Sequence, residues 1–178
     1  YRMFNNNTDW VDAVKQVGAK HSHYLSLSGG GEKANFRVSG GYDHETGSII
    51  AQSLDRLSTR VNLDYWVSER IKIKSDFNLT YTDNKRNYSN LLGAAYLKMP
   101  NMAIYREDAN DRPTDEYYLA LQSMPEALKD QRERINPIAE ANLAKNEYRS
   151  YNLSALFQIV YDLLSPDDSG HQLDYEGQ

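Results

Sequence analysis

The chain has 178 residues, with 20 Lys+Arg against 25 Asp+Glu, a formal net charge of −5, no Cys, and 14 Tyr beside 4 Phe and 2 Trp. An acidic balance without a basic stripe argues against a nucleic-acid binder, and the lack of Cys excludes a disulfide framework, thiol chemistry and Cys-ligated zinc or iron–sulfur sites. The longest apolar run, residues 91–97, is far short of the ~18 residues of a membrane helix, and the mean hydropathy of −0.74 is that of one soluble domain, yet the excess of Tyr fits a boundary that is apolar at one end and wet at the other.

In chain order, residues 1–20 read as the end of a loop entering a short helix. Thr8 is its N-cap, Asp9 and Asp12 place negative charge in the first turn, and Gly18 is its stop. No basic n-region with an apolar h-region opens the chain, and a start at Tyr1 reads as a processed chain or a fragment. From Ser22 the apolar period changes from about 3.6 to about 2. Leu25 and Leu27 share a face. After a turn at 29–32, Ala34, Phe36, Val38, Gly40 and Tyr42 share one, opposed by Asn35, Arg37 and Ser39. After a longer connection, 43–55, the set Leu57, Val61, Leu63, Tyr65, Val67 alternates with Arg56, Arg60, Asn62, Asp64, Trp66. After a tight turn at 68–70, Ile71, Ile73, Phe77, Leu79 and Tyr81 alternate with Lys72, Lys74, Asp76, Asn78 and Thr80. Short connections make neighbours antiparallel hairpins.

Four antiparallel strands therefore occupy 21–84, and the pattern then breaks over 85–146. This interruption holds a helical turn at 90–99, an acidic stretch at 106–112 and a predicted helix over 115–131 that Pro125 interrupts. Structureless connections of this length are unusual unless functional. Alternation resumes over 147–178 with Tyr151, Leu153, Ala155, Phe157, Ile159 and Tyr161 on one face. A turn at 165–168 leads to a truncated sixth strand from His171.

Alternating stretches of this length exceed the usual ~5–6 residues of strands in soluble domains and match the ~9–11 residues of a tilted transmembrane strand. Tyr42, Tyr65, Tyr81, Tyr151 and Tyr161 lie near the ends of the apolar faces, as aromatic girdles do. Tight turns at one end alternate with longer connections at the other, the outer-membrane barrel arrangement. The expected fold is all-β, an antiparallel transmembrane β-barrel fragment of about six strands with a long, partly helical extracellular loop. Leu63, Phe77, Leu79, Phe157 and Ile159 are expected to face lipid, and Arg37, Arg60, Lys72 and Asp76 the lumen. A soluble, carbohydrate-binding β-sandwich, its apolar face packed on a core, is the alternative.

The runs Asn7-Thr-Asp-Trp10, His23-Tyr-Leu-Ser-Leu-Ser-Gly-Gly-Gly-Glu-Lys33, Phe36-Arg-Val-Ser-Gly-Gly-Tyr42, Arg60-Val-Asn-Leu-Asp64, Ile71-Lys-Ile-Lys74, Leu91-Leu-Gly-Ala-Ala-Tyr-Leu-Lys-Met-Pro100 and Asn136-Pro137 resemble the early barrel and long loop of SusC/RagA-type TonB-dependent outer-membrane transporters of Bacteroidetes. The resemblance covers nearly the whole chain in consistent order. It implies a 22-stranded barrel with an N-terminal plug, a size class whose lumen is plugged. It also implies a SusD-like surface lipoprotein as lid, TonB as energy source and oligosaccharides or peptides as ligands. The plug, the TonB-contacting segment and most of the barrel are absent from this sequence.

Other motifs carry blander readings. The run Gly29-Gly-Gly-Glu-Lys33 lacks phosphate-loop spacing and precedes a strand, which makes it a hairpin turn. His21 and His23 fall on one strand face without a third ligand, so no metal is expected. Glu107, Asp108, Asp111, Asp115 and Glu116 could hold a glycosidase pair but read as a solvated loop, and no enzyme activity and no cofactor are expected. Tyr105, Tyr117 and Tyr118 in the same loop are candidates for stacking on sugar rings, or for packing the loop. Trp66 reads as an anchor at the periplasmic rim or a plug contact.

Overall fold

A computed structural model describes residues 6–110, 112–119, 129–132 and 134–163. The elements in chain order are α1 (Trp10–Ala13), β1 (Ala19–Gly30), β2 (Ala34–Thr46), β3 (Ser53–Ser68), β4 (Ile71–Lys85), α2 (Leu91–Tyr96), β5 (Tyr105–Glu107), β6 (Pro113–Tyr117), α3 (Lys129–Arg132), α4 (Pro137–Leu143) and β7 (Glu147–Tyr161). Five strands form one sheet in the order β1-β2-β3-β4-β7, and β5 pairs with β6 separately. The strands of the large sheet run 12, 13, 16, 15 and 15 residues. All are longer than the ~9–11 residues that cross a bilayer.

Hydrogen bonds at the hairpin ends fix the antiparallel sense. Trp66 N donates to Lys33 O (2.9 Å) while Gly47 N donates to Gln52 O (3.0 Å), so the start of β2 meets the end of β3. Likewise Asp162 N donates to Arg70 O and Arg86 N to Asn146 O, both at 2.9 Å. Thus β4 and β7 are an ordinary hairpin pair despite the long chain between them. Short turns (31–33 and 69–70) lie at one end of the strands and the longer connections (47–52 and 86–146) at the other.

The chain divides into two compact units. A loop unit comprises Tyr1–Lys20, Glu45–Leu54 and Asn84–Tyr148, and a sheet unit His21–His44, Asp55–Asp83 and Arg149–Gln178. The apolar core lies in the loop unit, where Trp10, Val14, Ala95, Met102, Ala103, Tyr118 and Ile138 pack together. In the sheet unit the buried described residues are two serines, Ser39 and Ser75. Its apolar side chains are open, with Leu25 at 78%, Leu153 at 73% and Ile159 at 72% exposure. Among the described residues no second layer covers that face, as a sandwich would require.

Several local expectations need correction. Asp9, not Thr8, caps α1, accepting from Asp12 N at 2.9 Å. Thr8 is turned away, its Oγ1 donating to Met102 O (2.9 Å) and its N to Pro100 O (2.7 Å). The helix ends at Ala13 rather than at Gly18. The first turn starts at Gly31 because Gly29 and Gly30 still belong to β1. There the absent Cβ of Gly29 leaves space that the Phe36 ring occupies, 3.0 Å from where that atom would stand. The connection expected over 43–55 shrinks to 47–52 because polar residues at both strand ends remain in the ladder. The helix expected over 115–131 is in part a strand: β6 pairs with β5 antiparallel, Tyr105 opposite Tyr117. Residues 120–128 of that expectation, the turn at 165–168 and the strand from His171 lie outside the described residues.

Candidate functional site

The alternation of the strands places apolar and polar side chains on opposite sides of the sheet. Phe77 and Phe157 meet edge to face across β4 and β7, with centroids 5.1 Å apart. Leu63, Leu79 and Ile159 share their strand parity, at 41%, 43% and 72% exposure. Toward the loop end of this face Tyr81 and Tyr151 lie 4.8 Å apart, and Tyr42 Oη donates to Asp55 Oδ1 at 2.7 Å. Charge begins there. His44 Nδ1 is 2.7 Å from the same carboxylate oxygen, and Arg149 Nε donates to Asp83 Oδ2 at 3.1 Å. Tyr65 and Tyr161 stand toward the turn end. On β7 the interval between Tyr151 and Tyr161 is about 33 Å of strand at ~3.3 Å per residue. A tilt of about 40° projects it to about 25 Å, the height of the apolar band of an outer-membrane barrel.

The opposite face is a lattice of charges. Arg60 Nη2 lies 3.0 Å from Asp76 Oδ2, which also accepts from Asn62 Nδ2 at 2.8 Å. Lys72 Nζ pairs with Asp64 at 2.9 Å and sits 4.4 Å from the centroid of Trp66. Trp66 thus belongs to this face and serves as a cation platform near the turn end. Arg37 is exposed on β2 and makes no hydrogen bond to the other three among the described residues. His21 and His23 are exposed on β1.

In the loop unit Tyr105 and Tyr117 stack on each other, centroids 5.3 Å apart and planes inclined by 23°. Tyr118 does not join them: at 5% exposure it is a core residue, and burial raises its phenol pKa. Two of the loop acids, Asp108 and Glu116, have structural work, and Asp111 lies outside the described residues. Asp108 accepts from Asn110 N (2.8 Å) and Arg112 N (2.9 Å), closing the β5–β6 turn, and these backbone bonds hold its pKa below the ordinary carboxylate value. Glu116 pairs with Arg106 at 2.9 Å. Among the described residues no group of three His, Asp or Glu side chains is placed to hold a metal.

Sequence reasoning missed a feature of this unit. Two adjoining clefts, of ≈ 340 and ≈ 450 Å³, share Gln52, Ser53, Lys85 and Arg86 in their walls. Lys145 and Asn142 complete the first, and Asn84 and Asn87 the second. The legible signal is the Asn-rich run of residues 84–90 and its counterpart at 142–146, which flank the long connection from both sides.

No family model matches the chain. Over 159 residues it is 26% identical to the TonB-dependent receptor P39 of Formosa agariphila, covering 89% of this chain and 14% of that receptor. It is also 26% identical over 120 residues to the TonB-dependent receptor SusC of Bacteroides thetaiotaomicron, covering 66% of this chain and 12% of SusC. In fold it is similar to a chain of the RagAB peptide transporter, with a TM-score of 0.57 at 18% identity, over 90% of this chain and 18% of that one. The chain thus spans about 14% of the length of the curated receptor P39. The resemblance to SusC/RagA-type TonB-dependent receptors stands, and the large sheet is a stretch of outer-membrane β-barrel wall.

Proposed function

We propose, from this placement in a SusC/RagA-like barrel, that the whole protein is a TonB-dependent importer of oligosaccharides or peptides and that this segment supplies barrel wall and one extracellular loop. The observation that carries the reading is the uncovered apolar face of Leu63, Phe77, Leu79, Phe157 and Ile159 on strands of membrane-crossing length. These side chains face lipid. Arg37, Arg60, Lys72 and Asp76 line the lumen, where they meet plug or permeating solute. A SusD-like lipoprotein closes the mouth as a lid, and TonB drives plug rearrangement. Likeness to SusC and to the RagAB transporter supports both partners. Tyr105 and Tyr117 are the aromatic pair available to ligand or lid, whereas the burial of Tyr118 restricts it to packing. The work is binding and gating, without covalent catalysis.

Deletion of the parent gene, followed by growth and uptake measurements on single glycans and peptides, tests the reading. Loss of uptake of at least one such nutrient, restored by the intact gene but not by one lacking its TonB-contacting segment, is expected. Recovery of the folded parent from the soluble fraction without detergent overturns it.

A further inference from the structure

We propose that the paired clefts of the loop unit form an anion-recognising subsite that takes the carboxylate or sulfate of an acidic oligosaccharide. The inference rests on the import reading for its purpose. Lys85, Arg86 and Lys145 line the clefts and have no ion-pair partner among the described residues, in a chain whose net charge is −5. Two carboxylates share the walls. Glu45 is already engaged by Lys20 at 3.7 Å, and Glu147 lies in the first cleft.

Arg86 is held in place. With the Asn84 amide oxygen turned toward it, that oxygen accepts from Nη2 and Nε at 3.0 and 3.1 Å, and the Arg86 backbone N is bonded to Asn146 O. The remaining N–H groups of the planar fork stay available, the geometry that receives a carboxylate or sulfate through two parallel bonds. The rest of the wall suits hydroxyl groups. The side-chain amides of Gln52 and Asn142 in the first cleft's wall both donate and accept. Ala51, in the first cleft's wall, holds a left-handed φ of 61°, a conformation that costs a non-glycine residue energy and that concentrates at binding sites. Among the described residues the one large apolar side chain lining either cleft is Leu54. A peptide would leave its apolar side chains without a pocket here, whereas an acidic sugar presents an anion and hydroxyls together.

The test uses the full-length transporter, purified in detergent, and four probes of similar length: oligogalacturonate, carrageenan oligosaccharide, maltohexaose and oligoglutamate. One of the two acidic saccharides is expected to bind at least tenfold more tightly than maltohexaose, and which one it is separates carboxylate from sulfate recognition. The variant K85Q/R86Q/K145Q is expected to lose that preference at least tenfold. Its heat-modifiable gel migration should match wild type, which reports an intact barrel. N84A, which keeps the charges but frees the guanidinium, should show a smaller loss. Equal affinity for charged and neutral saccharides, tighter binding of oligoglutamate, no binding of any probe, or a variant with unchanged preference overturns the proposal. Uptake in the deletion strain is read separately, so that abolished nutrient uptake with no acidic preference sinks the subsite and leaves transport standing.

Discussion

Two buried polar side chains organise the loop unit. Asn136, at 2% exposure, donates from Nδ2 to Ile104 O (2.8 Å) and Tyr118 O (3.2 Å), and its Oδ1 accepts from Ile138 N and Ala139 N at the start of α4. Asn136→Ala removes the cap and strands buried carbonyls and amides, a loss of about 2 kcal/mol. Amide exchange within the loop unit is therefore expected to quicken roughly 30-fold, while the strands of the sheet keep their protection. Lys98 is 6% exposed, donates to Arg134 O at 2.9 Å, and lies 5.9 Å from the Trp10 centroid. Burial, and secondarily the charge of Arg134, lowers its pKa from 10.5 to about 8. The unfolded chain thus holds this proton to higher pH than the folded one, so the loop unit gains stability as pH rises from about 8 toward 10.5 and shows no Lys98-dependent slope below 8. Exchange rates at pH 7, 9 and 10.5, corrected for intrinsic chemistry, should follow this rise in wild type and lose it in Lys98→Met.

At the scale of elements, each strand carries two chemistries that one substitution can tell apart. Phe77→Arg puts a charge on the apolar face, where the penalty near the bilayer midplane is about 2–4 kcal/mol. Asn78→Arg puts the same charge on the lattice side and is expected to leave folding in lipid vesicles nearly unchanged, as heat-modifiable migration would report. The strands were legible in the sequence because period-two alternation is a local property that every residue of the ladder repeats. Their ends were less so, since Gly29, Gly30, Thr46 and Ser53 look like turn residues and still pair. Strand β6 escaped because Asp115, Glu116 and Leu119 have the composition of a helix. What makes it a strand is non-local, the Tyr105 stack and the Arg106–Glu116 pair, which no window over its own residues contains. The cationic clefts escaped for the same reason: their walls come from Gln16 and from residues 45–54, 84–89 and 141–147, far apart in sequence, and Asn and Lys there read individually as ordinary loop.

For the molecule as a whole, the sheet unit has no apolar core among its described residues, and β1 and β7 are the edges of the sheet described. Such edges and such a face are stable only when neighbouring strands and lipid cover them. The 178 residues expressed alone without detergent are therefore expected to aggregate, as sedimentation would show. A soluble, monomeric and well-dispersed product would contradict the barrel assignment. The long connection has a further consequence. Because Arg86 N bonds Asn146 O, β4 and β7 close as a hairpin at the base of the insertion, and everything between those two residues hangs from a joint that is already made. Closing a longer or shorter loop changes the entropy only logarithmically with its length. Such a joint lets the insertion be exchanged like a cassette: its length and surface can change while the wall that carries it folds on unchanged terms.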